Sequence, residues 1–157
     1  MKFIFSLLFF SVSFTPLTKQ GGKKEWISLF DGKTLTGWKV GANAETFKVQ
    51  NGVIVVNGKV AHLFYDGAVA NHNFTNFELK LDIMTKPGAN SGVYIHTLFQ
   101  ESSWPKKGYE VQVNNSQTDW RRTASLYAIQ DLKEVFVKDE EWFTMHILVK
   151  GKNIQIK

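Results

Sequence analysis

The chain has 157 residues, 43% of them hydrophobic and 14% aromatic, which suits one compact domain and excludes a disordered or fibrous protein. Its formal charge is +5, and because Lys2 and Lys19 carry two of those charges, 5 minus 2 leaves +3 on residues 21–157. No basic run interleaves with aromatics, which speaks against nucleic acid, and the absence of cysteine excludes disulfides, thiol nucleophiles and thiolate metal sites.

In chain order, residues 1–20 read as a secretory signal peptide, with Lys2 as a short positive start and Phe3 to Phe14 as the apolar stretch. That stretch stops at Thr15-Pro16, short of the roughly 20 apolar residues a membrane helix needs. The expected product is therefore secreted or periplasmic, with no membrane contact after cleavage. Residues 21–25, beginning Gly21-Gly22-Lys23-Lys24, form a flexible leader, and a single domain occupies 26–157.

Within that domain, short runs rich in β-branched and aromatic residues predict strands at 26–30, 46–50, 53–56, 76–85, 91–98, 109–114, 125–129, 134–137, 142–150 and 153–157. Turns at Asp31-Gly32, Asn51-Gly52, Asn57-Gly58, Asp66-Gly67 and Pro87-Gly88 separate them. Strict alternation is clearest at Phe77, Leu79, Leu81 and Ile83, and again at Phe143, Met145, Ile147 and Val149. Many strands with one apolar face bury it by packing two antiparallel sheets, so the predicted fold is an all-β jelly-roll sandwich. The last hairpin, around Lys150-Gly151-Lys152-Asn153, ends soon after its turn, and the sandwich is expected to lack its C-terminal strands.

The stretch from Asn90 to Asn114 draws chemical interest. Alternation sends Val93, Ile95, Val111 and Val113 into the core and gathers Tyr94, His96, Glu110, Gln112 and Asn114 on the other face. Such a row suits an active surface, although a solvated sheet face has the same pattern. Trp104 and Trp120 stand in polar loops at opposite ends of the second strand, where flat rings can stack on a sugar or simply pack a rim. His62, His72 and His146 have no metal-ligand spacing, so no metal or other cofactor is assigned. What stays open is a divalent ion such as Ca²⁺ on oxygen ligands from Glu78, Asp82 or Glu110.

Five motifs in order carry a family resemblance: Ser28-Leu29-Phe30-Asp31-Gly32-Lys33-Thr34-Leu35-Thr36-Gly37-Trp38, Phe77-Glu78-Leu79, Asn90-Ser91-Gly92-Val93-Tyr94, Gly108-Tyr109-Glu110-Val111-Gln112 and Ser125-Leu126-Tyr127. Together they resemble the 3-keto-disaccharide hydrolase family from about Trp26 to the last residue. The resemblance implies a concanavalin A-like lectin/glucanase sandwich, bacterial export, and a small sugar substrate already oxidised to a ketone at carbon 3.

Glucanases on that fold work with two carboxylates about 5 to 5.5 Å apart. Here Glu110 is followed on its face by Gln112 and Asn114, which leaves one carboxylate. A 3-keto sugar needs no more, because the ketone acidifies carbon 2. A base removes that proton, donors stabilise the enolate, the group on carbon 1 leaves, and water adds back. Glu110 and His96 compete as the base, with Asn90, Tyr94, Gln112, Asn114, Tyr127, Trp104 and Trp120 as substrate-binding candidates. The alternative is a noncatalytic carbohydrate-binding module, since lectins share this sandwich.

Overall fold

The computed structural model describes residues 7–9 and 25–157. Apart from Leu7–Phe9, the expected signal segment 1–20 lies outside the described residues, as does the expected leader apart from its last residue. Ten strands are described: β1 (Leu7–Phe9), β2 (Trp38–Val40), β3 (Phe47–Gln50), β4 (Val53–Val56), β5 (Leu63–Tyr65), β6 (Phe77–Ile83), β7 (Ser91–Ile95), β8 (Tyr109–Val113), β9 (Phe143–Lys150) and β10 (Asn153–Ile156). The helical content among these residues is two short 3₁₀ turns, Ala44–Thr46 and Val69–His72. No helix among the described residues is long and apolar enough to cross a membrane.

Every strand pairing is antiparallel. Six strands form one sheet in the order β10-β9-β6-β1-β4-β3, while β7-β8 and β2-β5 form separate pairs. The alternation in β6 and β9 sets their register: Phe77 faces Val149, Leu79 faces Ile147, Leu81 faces Met145 and Ile83 faces Phe143. Like meets like across the strands, and the row faces the core, with Leu79 and Phe143 partly buried and the other six buried. Val93, Ile95, Val111 and Val113 of β7-β8 join Ile54, Leu81, Ile83, Met145 and Ile147 in one core cluster, so the pair packs over the larger sheet as a sandwich.

Several predicted strands are absent, each for a local reason. Residues 26–30 carry strand-forming side chains but find no pairing edge; Phe30 still reaches the core, and Trp38 anchors the loop through Nε1, which donates to Leu29 O at 3.0 Å. The Asp31 carboxylate closes the following turn, accepting from Lys33 N and Thr34 N, both at 2.7 Å. Residues 134–137 are irregular, with Val135 and Phe136 exposed. The 125–129 run lies beside β8 but is broken by left-handed backbone at Ala124 and Ala128, leaving a single-residue bridge between Val111 and Leu126. Conversely, the β2-β5 pair was not predicted, because three-residue strands give alternation too little length to register.

Candidate active site

The register of β7-β8 builds the site. Tyr94 lies opposite Glu110 and Gly92 opposite Gln112, so Tyr94, Glu110 and Gln112 project from the face opposite the core valines. Gly92 gives Glu110 room to fold back across its own strand pair: a Cβ there would stand 2.3 Å from Oε1 and 2.7 Å from Cγ. Only a residue without a side chain fits beneath this carboxylate.

Two side chains hold that carboxylate. The Tyr94 hydroxyl donates to it, and the Gln112 amide, oriented by its surroundings, donates to Glu110 Oε1 at 3.1 Å and to Ser91 O at 3.0 Å. The oxygen of the Gln112 amide, its other arm, faces the Asn90 side chain at 3.3 Å. Burial pushes the Glu110 carboxyl above its usual range, the Tyr94 bond offsets part of that rise, and the nearby Asp119 charge adds to it. The same burial and the Glu110 charge hold the Tyr94 hydroxyl far above its ordinary value, so it stays a donor.

From behind, the 123–127 run secures the arrangement. Gln112 N donates to Ser125 O at 2.9 Å, Ala124 N to Gln112 O at 3.0 Å, and Tyr127 N to Glu110 O at 2.9 Å, which sets Tyr127 beside the acid. The Arg121 guanidinium is stacked between Tyr127 and Trp120, 4.5 and 4.8 Å from the ring centres, and is fixed by Asp131 at 3.1 Å.

An open cleft of about 1520 Å³ covers the site, above the few hundred to roughly 1,000 Å³ usual for small-ligand pockets and roomy enough for a disaccharide. Asn90, Tyr94, Glu110, Gln112, Tyr127 and Trp104 all line it. Trp104 is 59% exposed on a loop that Gln100 ties down, its amide donating to Trp104 O at 2.6 Å.

Two candidates, Asn114 and Trp120, stand outside the cleft lining, and a third, His96, lines the cleft without joining the bonds around Glu110. Asn114 is fully buried and spent on its own loop: its amide donates to Asp119 O and Arg121 O, both at 2.9 Å, and accepts from Gln117 N and Arg122 Nη1. Trp120 is outside the cleft lining, under Arg121. At the cleft wall, His96 is exposed; because β7 ends at Ile95 and His96 turns left-handed at φ 55°, its ring rests on Phe77 with centres 5.8 Å apart instead of joining the bonds around Glu110.

Two cleft residues were missed by sequence reasoning. Asp119 brings a second carboxylate from the loop after β8, held by Arg121 N at 3.0 Å. His62 packs edge-on against Tyr94 with ring centres 5.1 Å apart. Neither lies on a predicted strand, and no motif or spacing marked them. The carboxylates considered for a divalent ion do not meet: Glu78 bonds His146 at 3.1 Å and Asp82 accepts from Thr144 Oγ1, both on β6, while Glu110 is on β8 in the other layer. Among the described residues no group of three or more His, Cys, Asp or Glu converges.

A half-buried acid on an antiparallel β-sandwich, facing a cleft of sugar dimensions, defines the class: an all-β protein with a site for a small polar ligand. Residues 25–157 match the family model described as a 3-keto-alpha-glucoside-1,2-lyase-like domain, and the chain belongs to that family. Over 94 residues it is 35% identical to a 3-keto-disaccharide hydrolase of Bacteroides thetaiotaomicron, a match covering 55% of this chain and 32% of the relative. The chain thus spans about a third of the length of that curated relative. A crystal structure from Parabacteroides distasonis, provisionally described as a glycosyl hydrolase, superposes with a TM-score of 0.69 at 25% identity, covering 92% of this chain and 67% of the other.

Proposed function

We propose that this chain is an exported enzyme that cleaves 3-keto-glycosides, 3-keto-disaccharides among them, on a concanavalin A-like jelly-roll scaffold. The observation that carries the reading is the Glu110 carboxylate folded over Gly92, gripped by Tyr94 and Gln112 and raised in pKa by burial. A base tuned upward in this way suits removal of a proton made acidic by a neighbouring ketone. Glu110 takes the proton from carbon 2, the electron pair passes into the carbon 1–carbon 2 bond, and the carbon 1–oxygen bond breaks. The leaving oxygen takes up a proton, so the aglycone departs as an alcohol. Addition of water across the new double bond completes net hydrolysis.

The family match and the 3-keto-disaccharide hydrolase relative support the substrate class. The Phe3 to Phe14 stretch of the sequence supports export. Trp104 and Tyr127 line the cleft, which supports a role for their rings in stacking on the sugar. Exposed rings around a cleft also favour a second reading, a carbohydrate-binding module without turnover.

Incubating the purified chain with 3-keto-trehalose or a 3-keto-glucoside separates the two. Released sugar that disappears in Glu110→Gln, with binding retained, is the enzyme's result. Binding without release in both forms makes the chain a module.

A further inference from the structure

His62 precedes β5 and lines the cleft without belonging to any motif. Its imidazole is half-buried, and neither ring nitrogen has a hydrogen-bond partner among the described residues. The ring is nevertheless well fixed. It stands edge-on to Tyr94, at 5.1 Å and 85°, and on another side meets Phe64 at 6.3 Å, which in turn packs on Phe99 at 5.2 Å. Tyr94 is the residue whose hydroxyl grips Glu110, so the imidazole is held one side chain away from the acid.

A partly buried polar group with no protein partner is bonded by water in an open cleft, and a ligand that enters and displaces that water must take over the bond. Burial holds the His62 pKa below its ordinary value, so at neutral pH the ring is uncharged, with one N–H to donate. An uncharged imidazole donor polarises a carbonyl without the desolvation cost of a buried cation.

We propose that His62 is a further substrate-contacting residue of the cleft, donating a hydrogen bond to the carbonyl oxygen at carbon 3 of a 3-keto sugar. The inference rests on the 3-keto reading above. When Glu110 takes the proton from carbon 2, the electron pair moves toward the carbon 3 oxygen and negative charge grows there. The His62 hydrogen stays on its nitrogen and stabilises that charge. Tyr94 thus separates two roles, the acid that receives the proton and the imidazole that holds the enolate oxygen.

The test compares the full wild-type chain with His62→Phe and His62→Ala, reading turnover of a 3-keto-glucoside and binding of that sugar against the same glucoside with a hydroxyl at carbon 3. The expected result is a fall in kcat of about 100-fold in both variants, as for loss of one oxyanion donor, with an unchanged unfolding midpoint. Wild type should prefer the ketone and His62→Phe should not, while free imidazole should restore part of the turnover of His62→Ala. Unchanged kcat and unchanged ketone preference in both variants would overturn the His62 role and leave the 3-keto reading standing. A wild type that neither turns over nor prefers the ketone overturns both. A wild type that prefers the ketone without turnover, with the preference lost in His62→Phe, sinks the elimination chemistry and keeps His62.

Discussion

Glu110 lies over Gly92 across the β7-β8 pair, its Oε1 only 2.3 Å from where the first side-chain atom of any other residue would be. This one relationship links backbone composition to chemistry: the strand gives up a side chain so that an acid can bend inward.

Gly92→Ala therefore tests position separately from stability. The colliding atoms belong to the mobile end of Glu110, at 2.3, 2.7 and 2.9 Å from the added carbon, so the carboxylate swings away and the strands hold. Turnover should fall about 100-fold, the cost of a misplacement near 1 Å, while the unfolding midpoint barely moves. A large stability loss with normal turnover would contradict this placement.

Glu110→Gln should abolish turnover yet stabilise the protein at neutral pH. Because burial raises the folded carboxyl's pKa above the unfolded value, the folded state favours the protonated form. That contribution is fully present below the unfolded pKa and is lost as pH rises through the folded one. Denaturant unfolding should find Glu110→Gln more stable than wild type at about pH 7, with the gap closing toward about pH 4. A gap of the opposite sign would refute the desolvated acid.

Tyr94→Phe removes the bond that holds the Glu110 pKa down against burial. The rate profile should keep its shape, and its acid limb should shift to higher pH. An acid limb that stays put, or moves lower, would mean the hydroxyl does not act on this carboxylate.

Asn114→Ala should destabilise the fold more than Glu110→Gln or Tyr94→Phe. It strands the carbonyls of Asp119 and Arg121 and the amide of Gln117 around a buried position. The expected loss is about 2 to 3 kcal/mol in chemical denaturation, with turnover falling because the Asp119 loop loosens. A fully stable variant that had lost only sugar affinity would return Asn114 to the list of sugar ligands.

Removal of residues 1–20 bears on the larger sheet. Leu8 is paired with Ile54 of β4 and Ile83 of β6, so a chain without residues 1–20 lacks the strand between them. Amide hydrogen exchange in β4 and β6 should quicken in a chain beginning at Gly21 compared with the uncleaved chain. Unchanged exchange there would mean that another segment fills the place.

Much of the fold was legible because it is written in period two. Phe77 to Ile83 and Phe143 to Lys150 declare both their strand state and their buried face, and their pairing follows from matching the apolar rows. The inward set Val93, Ile95, Val111 and Val113 was equally plain, as was Glu110 on the reverse face. His96 broke the pattern, because a left-handed residue ends β7 and alternation carries no warning of it. Asn114 kept the alternation but not the exposure, since the loop carrying Gln117, Asp119 and Arg121 folds over it and consumes its amide.

By itself, then, the sequence determined the all-β class, the two buried faces and the place of Glu110 on the reverse face of its strand, since these depend on residues a few positions apart along one strand. Only the tertiary structure decided what surrounds Glu110: Gly92 beneath it, Gln112 and Tyr94 gripping it, and Asp119 and His62 arriving from segments outside any predicted strand. Local periodicity reports which way a side chain points, but the neighbours that set a carboxyl's pKa and an imidazole's isolation come from distant parts of the chain, and their meeting is fixed by packing alone.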